Sequence, residues 1–398
     1  MFESLERLPD DPVLGLAAIA RADDRPQKVD LTVGIYQNEA GVCPVFGAIR
    51  QAQAELAEQE TTKAYIAAAG DATFREGMAR LVLGDDSAVI KDGRVSVIQA
   101  PGGCGALRIG AEIIHAANPG TKVWASDPTW PVHVPLVGSV GLSFENYRYY
   151  DAHSHGVSFE AMLEDLRHAK KGEVVLLHGC CHNPSGADLS IEQWQQIADL
   201  AEAQGVMPFI DIAYQGMGDG LEQDAAGLRL LAERLPEMIV AASCSKNMGL
   251  YRERTGATLF ICENKDRADA LLSQALVAAR KIYSMPPAHG AILAGRILSD
   301  GNLKVSWTEE LVGMRDRIQD LRGELVTKLS AACDKDFSFI AKEKGMFSFL
   351  GLTQAQVLAL REQYGVYMLN SSRINVAGVN ASNIDYLAQS VAAVMSAS

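Results

Sequence analysis

The 398-residue sequence lacks the features that mark membrane, secreted and nucleic-acid-binding proteins. No uninterrupted apolar stretch approaches the roughly 20 residues that a membrane-spanning helix needs. The first residues, MFESLERLPDD, contain two glutamates and no apolar signal core. The sequence contains only 36 Lys and Arg residues but 49 Asp and Glu residues, which gives a formal net charge of −13. We therefore expect neither a membrane nor a nucleic acid as partner, because an acidic surface repels both anionic lipid and phosphate backbones.

The seven cysteines lack the regular spacing of a disulfide framework or a metal site. Cys180 and Cys181 are adjacent and are flanked by His178 and His182, so a metal is one interpretation. The usual C-x₂₋₄-C ligand spacing is absent, however, and the preceding run is apolar. Buried thiols are the favoured interpretation, and we predict no metal. An odd number of scattered cysteines is typical of reduced thiols, which predicts a cytoplasmic protein.

What the sequence does contain is a repeated alternation of short apolar runs with longer helical patterns. Continuous Val/Ile/Leu-rich strands separated by amphipathic helices predict an α/β domain with a mostly parallel central sheet flanked by helices. Such sheets bind their ligands at the carboxyl ends of the strands. The predicted strands lie at 94–100, 122–128, 173–181, 206–214, 238–245 and 257–263.

From about residue 305 the pattern changes. Residues 307–333 predict one long amphipathic helix, and FSFIAKEKGMFSFLGL (337–352) predicts a hairpin. We interpret this part as a smaller α+β domain that also includes the N-terminal segment. The predicted division is a large domain over 45–305 and a small domain over 1–44 and 306–398.

Two stretches at predicted strand ends carry polar groups of chemical interest. PGGCGALR (101–108) is a glycine-rich turn into a helix, where backbone N–H groups bind phosphate well. It matches neither the G-x-x-x-x-G-K-[ST] loop nor the G-x-G-x-x-G fingerprint, so a phosphate site and a plain tight turn both remain open. Asn183, in HNPSG, is either a turn residue or a ligand.

Asp211 and Lys246 each allow a structural and a functional interpretation. Asp211 lies inside the apolar stretch FIDIAYQG, where it makes either a structural hydrogen bond or an ion pair with a protonated ring nitrogen of a cofactor. Lys246, in SCSKNMGLYRERTG, is either a solvated lysine or a nucleophile whose pKa is lowered by burial and by Arg254.

Taken together and in order, the motifs resemble the aspartate/aromatic amino acid aminotransferases, class I (subgroup Iα) of the fold-type I pyridoxal-phosphate enzymes. The resemblance covers nearly the whole chain. The motifs that carry it are VDLTVGIYQNEAG, PGGCGALR, SDPTWPVH, HGCCHNPSGADL, FIDIAYQG, SCSKNMGLYRERTGA, YSMPPAHGA, GMFSFLGL and SSRINVAGV.

The resemblance implies pyridoxal 5′-phosphate as the cofactor and assigns a role to each matching residue. Lys246 would bind the cofactor covalently and later move the proton, and Asp211 would hold the pyridine nitrogen protonated. Tyr214 and Asn183 would bond the phenolate oxygen, and Trp130 would stack on the ring. His133 and His178 would support Trp130 and Asp211. The phosphate would be bound by Gly103, Cys104, Ser243, Ser245 and Arg254.

Substrate recognition and assembly are implied in the same way. Arg373 would bind the substrate α-carboxylate as a bidentate pair, and Gly34 lies where the small domain closes. Trp130 and Asn183 would also contact the substrate. Arg280 would bind a distal carboxylate from the partner of a homodimer. Tyr65 would reach the phosphate from that same partner.

The rim of the expected pocket departs from the aspartate-specific pattern at four positions. Gln37 occupies a position where that pattern has lysine, and Cys43 one where it has threonine. Ala64 and Met285 each occupy a position where it has asparagine. Each change removes a polar or cationic group, which leaves room for an aromatic ring. The predicted activity is transfer of the amino group of aromatic amino acids, and of aspartate and glutamate, to 2-oxoglutarate or another keto acid by a ping-pong mechanism. A dedicated aspartate aminotransferase is the alternative.

Overall fold

A computed structural model describes residues 1–9 and 11–397 of the chain. The helices are α1 (Leu14–Ala22), α2 (Gly47–Gln59), α3 (Ala72–Leu83), α4 (Ala88–Lys91), α5 (Gly102–Ala117), α6 (His133–Gly138), α7 (Phe159–Leu166), α8 (Ile191–Gln204), α9 (Ala226–Arg234), α10 (Lys265–Ile282), α11 (Ala288–Ser299), α12 (Gly301–Ala332), α13 (Gln354–Tyr364) and α14 (Ile384–Ser396). None of the helices in these described ranges is both long and apolar enough to cross a membrane.

The strands are short. They are β1 (Val29–Asp30), β2 (Val95–Pro101), β3 (Lys122–Asp127), β4 (Ser143–Arg148), β5 (Tyr150–Asp151), β6 (Gly156–Val157), β7 (Val174–His178), β8 (Met207–Ile212), β9 (Met238–Ser243), β10 (Thr255–Ile261), β11 (Phe347–Phe349), β12 (Val366–Tyr367) and β13 (Arg373–Asn375).

The chain divides into a large unit, residues 44–316, and a small unit, residues 1–43 and 317–398. Sequence patterns predict the second boundary at 305/306, but the division falls inside α12. Helix α12 begins at Gly301, six residues before the predicted start at 307, and runs across this boundary. Asp300 fixes that start, since its Oδ1 accepts the backbone N–H groups of Asn302 and Leu303 at 2.9 and 3.0 Å.

The large unit is built on a seven-stranded sheet in the order β2-β10-β9-β8-β7-β3-β4. Neighbouring strands are parallel except that β10 is antiparallel to both β2 and β9. The mostly parallel α/β sheet predicted from the sequence is therefore confirmed. β9 is buried along its full length, and α5 packs its apolar face against the sheet. Because the parallel strands share a direction, the residues that follow β2, β3, β7, β8 and β9 lie along one edge.

Two elements differ from the sequence predictions. The edge strand β4 carries mostly exposed polar residues, so no apolar run marks it. The predicted hairpin over 337–352 is wrong: Ser338–Ala341 forms a short 3₁₀ helix, and β11 pairs antiparallel with the distant β13. Phe339 and Ile340 are buried, which explains why the sequence there reads as strand-like. The small unit also contains a parallel pair, β1 with β12.

Candidate active site

Lys246 lies three residues after the end of β9, at the carboxyl edge of the large-unit sheet. Its Nζ lies 5.1 Å from the centre of the Tyr214 ring. Desolvation lowers the pKa of this half-buried lysine, and Arg254 lowers it further, while Asp211 and Cys104 act in the opposite direction. A lysine with a lowered pKa is neutral more often at physiological pH and is then able to act as a nucleophile or as a base.

Asp211, the fifth residue of β8, is buried and is hydrogen-bonded to His133. Its Oδ2 accepts a hydrogen bond from His133 Nε2 at 2.9 Å. Burial alone would raise the pKa of Asp211, but this hydrogen bond and the nearby cationic groups lower it overall. The structure thus provides an ionised carboxylate at the sheet edge that favours a positively charged partner.

A chain of hydrogen bonds continues behind Asp211. The Thr129 hydroxyl lies 2.8 Å from His133 Nδ1 and 3.3 Å from His178 Nε2, so it links the two rings. Burial lowers the pKa of His178 to about 3, which keeps that ring neutral. Thr129 was not singled out from the sequence. Its place between Pro128 and Trp130, just after β3, is the only signal that could have pointed to it.

The glycine-rich turn forms a polar cradle with residues that follow β9. Helix α5 begins at Gly102, so the free N–H groups of its first turn lie at the sheet edge. Gly102 has φ +70°, and a Cβ built there would lie 2.6 Å from Arg254 Nη2. Ser243 and Ser245 are buried beside it, with their hydroxyl oxygens 3.0 Å apart. A Cβ at Gly103 would lie 3.4 Å from Ser243 Cβ, so the turn packs directly on the serines.

The cradle has the composition that a phosphate dianion requires. Arg254 is exposed, adopts φ +53°, and donates from Nη1 to the Tyr251 carbonyl at 2.7 Å. The half-buried Cys104 is in the first turn of α5, and burial raises the pKa of its thiol although Arg254 opposes this. Hydroxyl groups, backbone N–H groups and a guanidinium therefore converge without a carboxylate among them. This donor set fits a phosphate group.

Trp130 and Asn183 are two further predicted cofactor residues of the large unit. The half-buried Trp130 ring meets the His133 ring edge-on, with centroids 5.3 Å apart. Asn183 is buried, and the turn before it is anchored by Asp188, which accepts the backbone N–H groups of Cys181 and His182 at 2.7 and 2.8 Å. Asp188 was missed from the sequence, where an Asx-type anchor is not distinguishable from a solvated loop residue.

Tyr65 and Arg280 are not brought to the cradle within the single chain. Tyr65 is 90% exposed and lies outside regular secondary structure. Arg280 is exposed in the last turn of α10 and donates from Nη1 to Ser284 Oγ at 2.6 Å. Of the rim residues in the large unit, Ala64 is exposed and Met285 is half-buried.

Arg373 is buried in the small unit as the first residue of β13. Its Nη2 donates to the Thr32 carbonyl at 2.5 Å, and its guanidinium carbon lies 4.3 Å from the centre of the Phe347 ring. The same ring approaches Gly34 so closely that a Cβ there would lie 2.5 Å from Phe347 Cζ. The small unit thus brings together Gly34 and Arg373 around Phe347. Gln37 and Cys43 are half-buried in the same unit.

The adjacent cysteines lie next to a third potential metal ligand. Cys180, Cys181 and Asp224 are buried with their ligand atoms within 4.8 Å of one another. Asp224 Oδ2 accepts the N–H groups of Gly216 and Gly218, and Oδ1 accepts that of Asp219. This carboxylate therefore fixes the loop after Tyr214.

Comparison with known proteins agrees with this geometry. The family model for aminotransferase class I and II matches residues 26–391. Aspartate aminotransferase of Salmonella typhi is 46% identical over 99% of this chain and 100% of its own length. Aromatic-amino-acid aminotransferase of Paracoccus denitrificans is 45% identical over 98% of this chain and 99% of its own. The crystal structure of the aromatic-amino-acid aminotransferase from Burkholderia pseudomallei, covalently bound to pyridoxal phosphate, aligns with TM-score 0.97 at 44% identity and covers 99% of both chains. The chain belongs to the aminotransferase class I and II family.

Proposed function

We propose that this protein is a pyridoxal-phosphate-dependent aminotransferase. It transfers the amino group of aromatic amino acids, and of aspartate and glutamate, to 2-oxoglutarate or another keto acid in a ping-pong reaction. The observation that carries the proposal is the combination of Lys246, with its lowered pKa, and the ionised Asp211 at the same sheet edge as a phosphate cradle. Membership of the aminotransferase family and the names of the relatives support it.

The residues of the large unit fit the cofactor. Ser243, Ser245, Arg254 and the N–H groups of Gly103 and Cys104 would hold its phosphate. Asp211 would pair with its ring nitrogen, and Trp130 would cover a ring face. Asn183 and Tyr214 would donate to its phenolate oxygen. When bound, pyridoxal phosphate supplies an electron sink that stabilises negative charge at the substrate Cα.

The protein's own groups would perform the remaining tasks. Lys246 would hold the cofactor covalently, and its neutral amine, once released, would move the proton of the substrate Cα. His133 would hold Asp211 in place through the 2.9 Å bond, so that the carboxylate stays ionised and oriented. The Arg373 guanidinium would bind the α-carboxylate, and Gly34 would leave space for it.

The choice of substrate would depend on Arg280 and the rim. Arg280 would bind the distal carboxylate of dicarboxylic substrates, while the less polar Gln37, Cys43, Ala64 and Met285 would admit an aromatic ring. The alternative is a dedicated aspartate aminotransferase, a name that relatives at the same level of identity carry. The deciding measurement is kcat/KM for phenylalanine and tyrosine against aspartate, with 2-oxoglutarate as acceptor. A preference for aspartate of more than about two decades, or about 2.7 kcal/mol, would contradict the aromatic assignment.

We further propose that the enzyme is a cytoplasmic homodimer without nucleic-acid or membrane partners. The exposure of Tyr65 and Arg280 supports the dimer, because both side chains are available to a second subunit. The net charge of −13 supports a protein that does not bind polyanions. Sedimentation of the holoenzyme at micromolar concentration would test the dimer, and a monomer with full activity would contradict it.

A further inference from the structure

The small unit contains a buried ionic cluster that the proposed reaction does not use. Arg322, on α12, and Glu343, in the turn before β11, are both almost fully buried. Arg322 Nη1 lies 3.4 Å from Glu343 Oε2 and donates to Ser348 Oγ at 2.7 Å. The Ser348 hydroxyl in turn donates to Glu343 Oε2 in a short bond. The other carboxylate oxygen, Oε1, is buried without a hydrogen-bond partner among the described residues.

This cluster is attached to the strand that carries Phe347. Arg322 Nη2 donates to the Phe347 carbonyl at 2.7 Å and to the Gly345 carbonyl at 2.7 Å. Ser348, which contacts both charged groups, is the middle residue of β11. The guanidinium and the carboxylate therefore fix the backbone of β11 on the side opposite its pairing with β13.

The same strand supports the carboxylate-binding arginine. Phe349 of β11 is paired with Arg373 of β13, and the Phe347 ring lies 4.3 Å from the Arg373 guanidinium carbon. Displacement of β11 would therefore move both the backbone partner and the aromatic support of Arg373. We infer that Glu343 and Arg322 are positioning residues for Arg373, which hold β11 and Phe347 where the guanidinium accepts a substrate carboxylate. This inference rests on the proposed function of Arg373.

The state of Glu343 gives the arrangement a dependence on pH. Burial raises the pKa of Glu343 to about 7, while Arg322 and Ser348 act in the opposite direction. Arg322 is the charged group that faces this carboxyl. The Arg322 guanidinium also donates to Ser348 and to backbone carbonyl oxygens. The ionised carboxylate binds Ser348 and Arg322 more strongly than the neutral acid does. The positioning of Arg373 is therefore firmer above pH 7 than below it.

Ligand binding to the holoenzyme at pH 6 and pH 8 tests this inference. The probes are 3-phenylpropionate and succinate, titrated calorimetrically into wild type, Glu343→Gln and the control Glu324→Gln, an exposed change on α12. The useful quantity is the ratio of dissociation constants, variant over wild type, because the protonation steps of the cofactor site cancel in it. For Glu343→Gln we expect a ratio near one at pH 6 and about three or more at pH 8. For Glu324→Gln we expect a ratio near one at both.

The outcomes separate this inference from the proposed function. A Glu343→Gln ratio that is the same at pH 6 and pH 8, in an enzyme that transaminates normally, overturns the inference alone. A wild type that neither binds the carboxylates nor transaminates overturns both. Ser348→Ala provides a second variant, because the loss of a donor to Glu343 raises its pKa. The dissociation constants of this variant for the two probes should therefore change with pH as in wild type, but with a midpoint at higher pH. An unchanged pH profile would contradict the inference.

Discussion

Gly102 and Arg254 approach so closely that a Cβ on residue 102 would lie 2.6 Å from the guanidinium nitrogen Nη2. The contact places the start of α5 against the one arginine of the cradle. It also explains why the sequence has glycine there, since φ is +70° as well. A side chain would have to displace Arg254 and accept a strained backbone at the same time.

The first prediction is that Gly102→Ala weakens cofactor binding. Strain and the displaced guanidinium should together cost about 1–3 kcal/mol, which raises the dissociation constant of pyridoxal phosphate by about 5- to 150-fold. Gly172→Ala is a matched control, because Gly172 also has positive φ (+81°) but no atom within 4 Å of a built Cβ. Equal losses of affinity in the two variants would show that backbone strain, and not the contact with Arg254, is responsible.

The second prediction concerns Lys246→Ala. The holoenzyme should lose the visible absorption band of the lysine-bound cofactor and retain a small fraction of its transamination rate, because the base at Cα is gone. Lys265→Ala, which removes an exposed lysine of α10, should behave as wild type. Retention of both the band and the rate in Lys246→Ala would refute the assignment of this residue.

The third prediction separates the two substrate classes. Arg280→Ala should lower kcat/KM for aspartate and 2-oxoglutarate, because the loss of a charge-assisted pair raises the activation free energy by several kcal/mol. The kcat/KM for phenylalanine should change much less. The control is Arg267→Ala, an exposed arginine on the same helix. Equal losses for aspartate and phenylalanine would contradict the idea that Arg280 serves only the distal carboxylate.

The fourth prediction concerns stability and Glu343. A carboxyl whose pKa rises from 4.5 to about 7 on folding favours the folded state most below pH 4.5, and this contribution is lost as pH rises toward 7. Glu343→Gln stays neutral throughout. Its unfolding free energy relative to wild type should therefore increase by about 2 kcal/mol between pH 5 and pH 8. Denaturant unfolding of the apoprotein measures this, with Glu324→Gln as control, and a difference that does not change with pH would contradict it.

The sequence predicts the sheet of the large unit well because its strands are buried on both faces and read as continuous apolar runs. The sequence does not predict β4, because an edge strand that is exposed to water has no continuous apolar run. The hairpin prediction failed because the partner of β11 lies at residues 373–375, and no local pattern reports a distant partner.

The residues of the candidate site were found through motifs, together with the supporting His133 and His178, whereas other supports were not. Lys246, Asp211 and Arg254 stand in stretches of unusual composition. Thr129 and Asp188 act through hydrogen bonds to residues far apart in the sequence or across a turn. The cluster of Arg322 and Glu343 was also missed, because each residue alone reads as a solvated charge on a polar segment.

The cradle also constrains how the protein can be assembled in the cell. Arg254 and Pro101, which the cradle joins, are 153 positions apart in the chain. Nascent chains that end between the glycine-rich turn and residue 253 contain the turn but not the arginine, so they present no complete phosphate site. The cofactor can therefore stabilise the finished large unit by mass action but cannot template its early folding. Added pyridoxal phosphate should slow unfolding while leaving the rate of refolding unchanged.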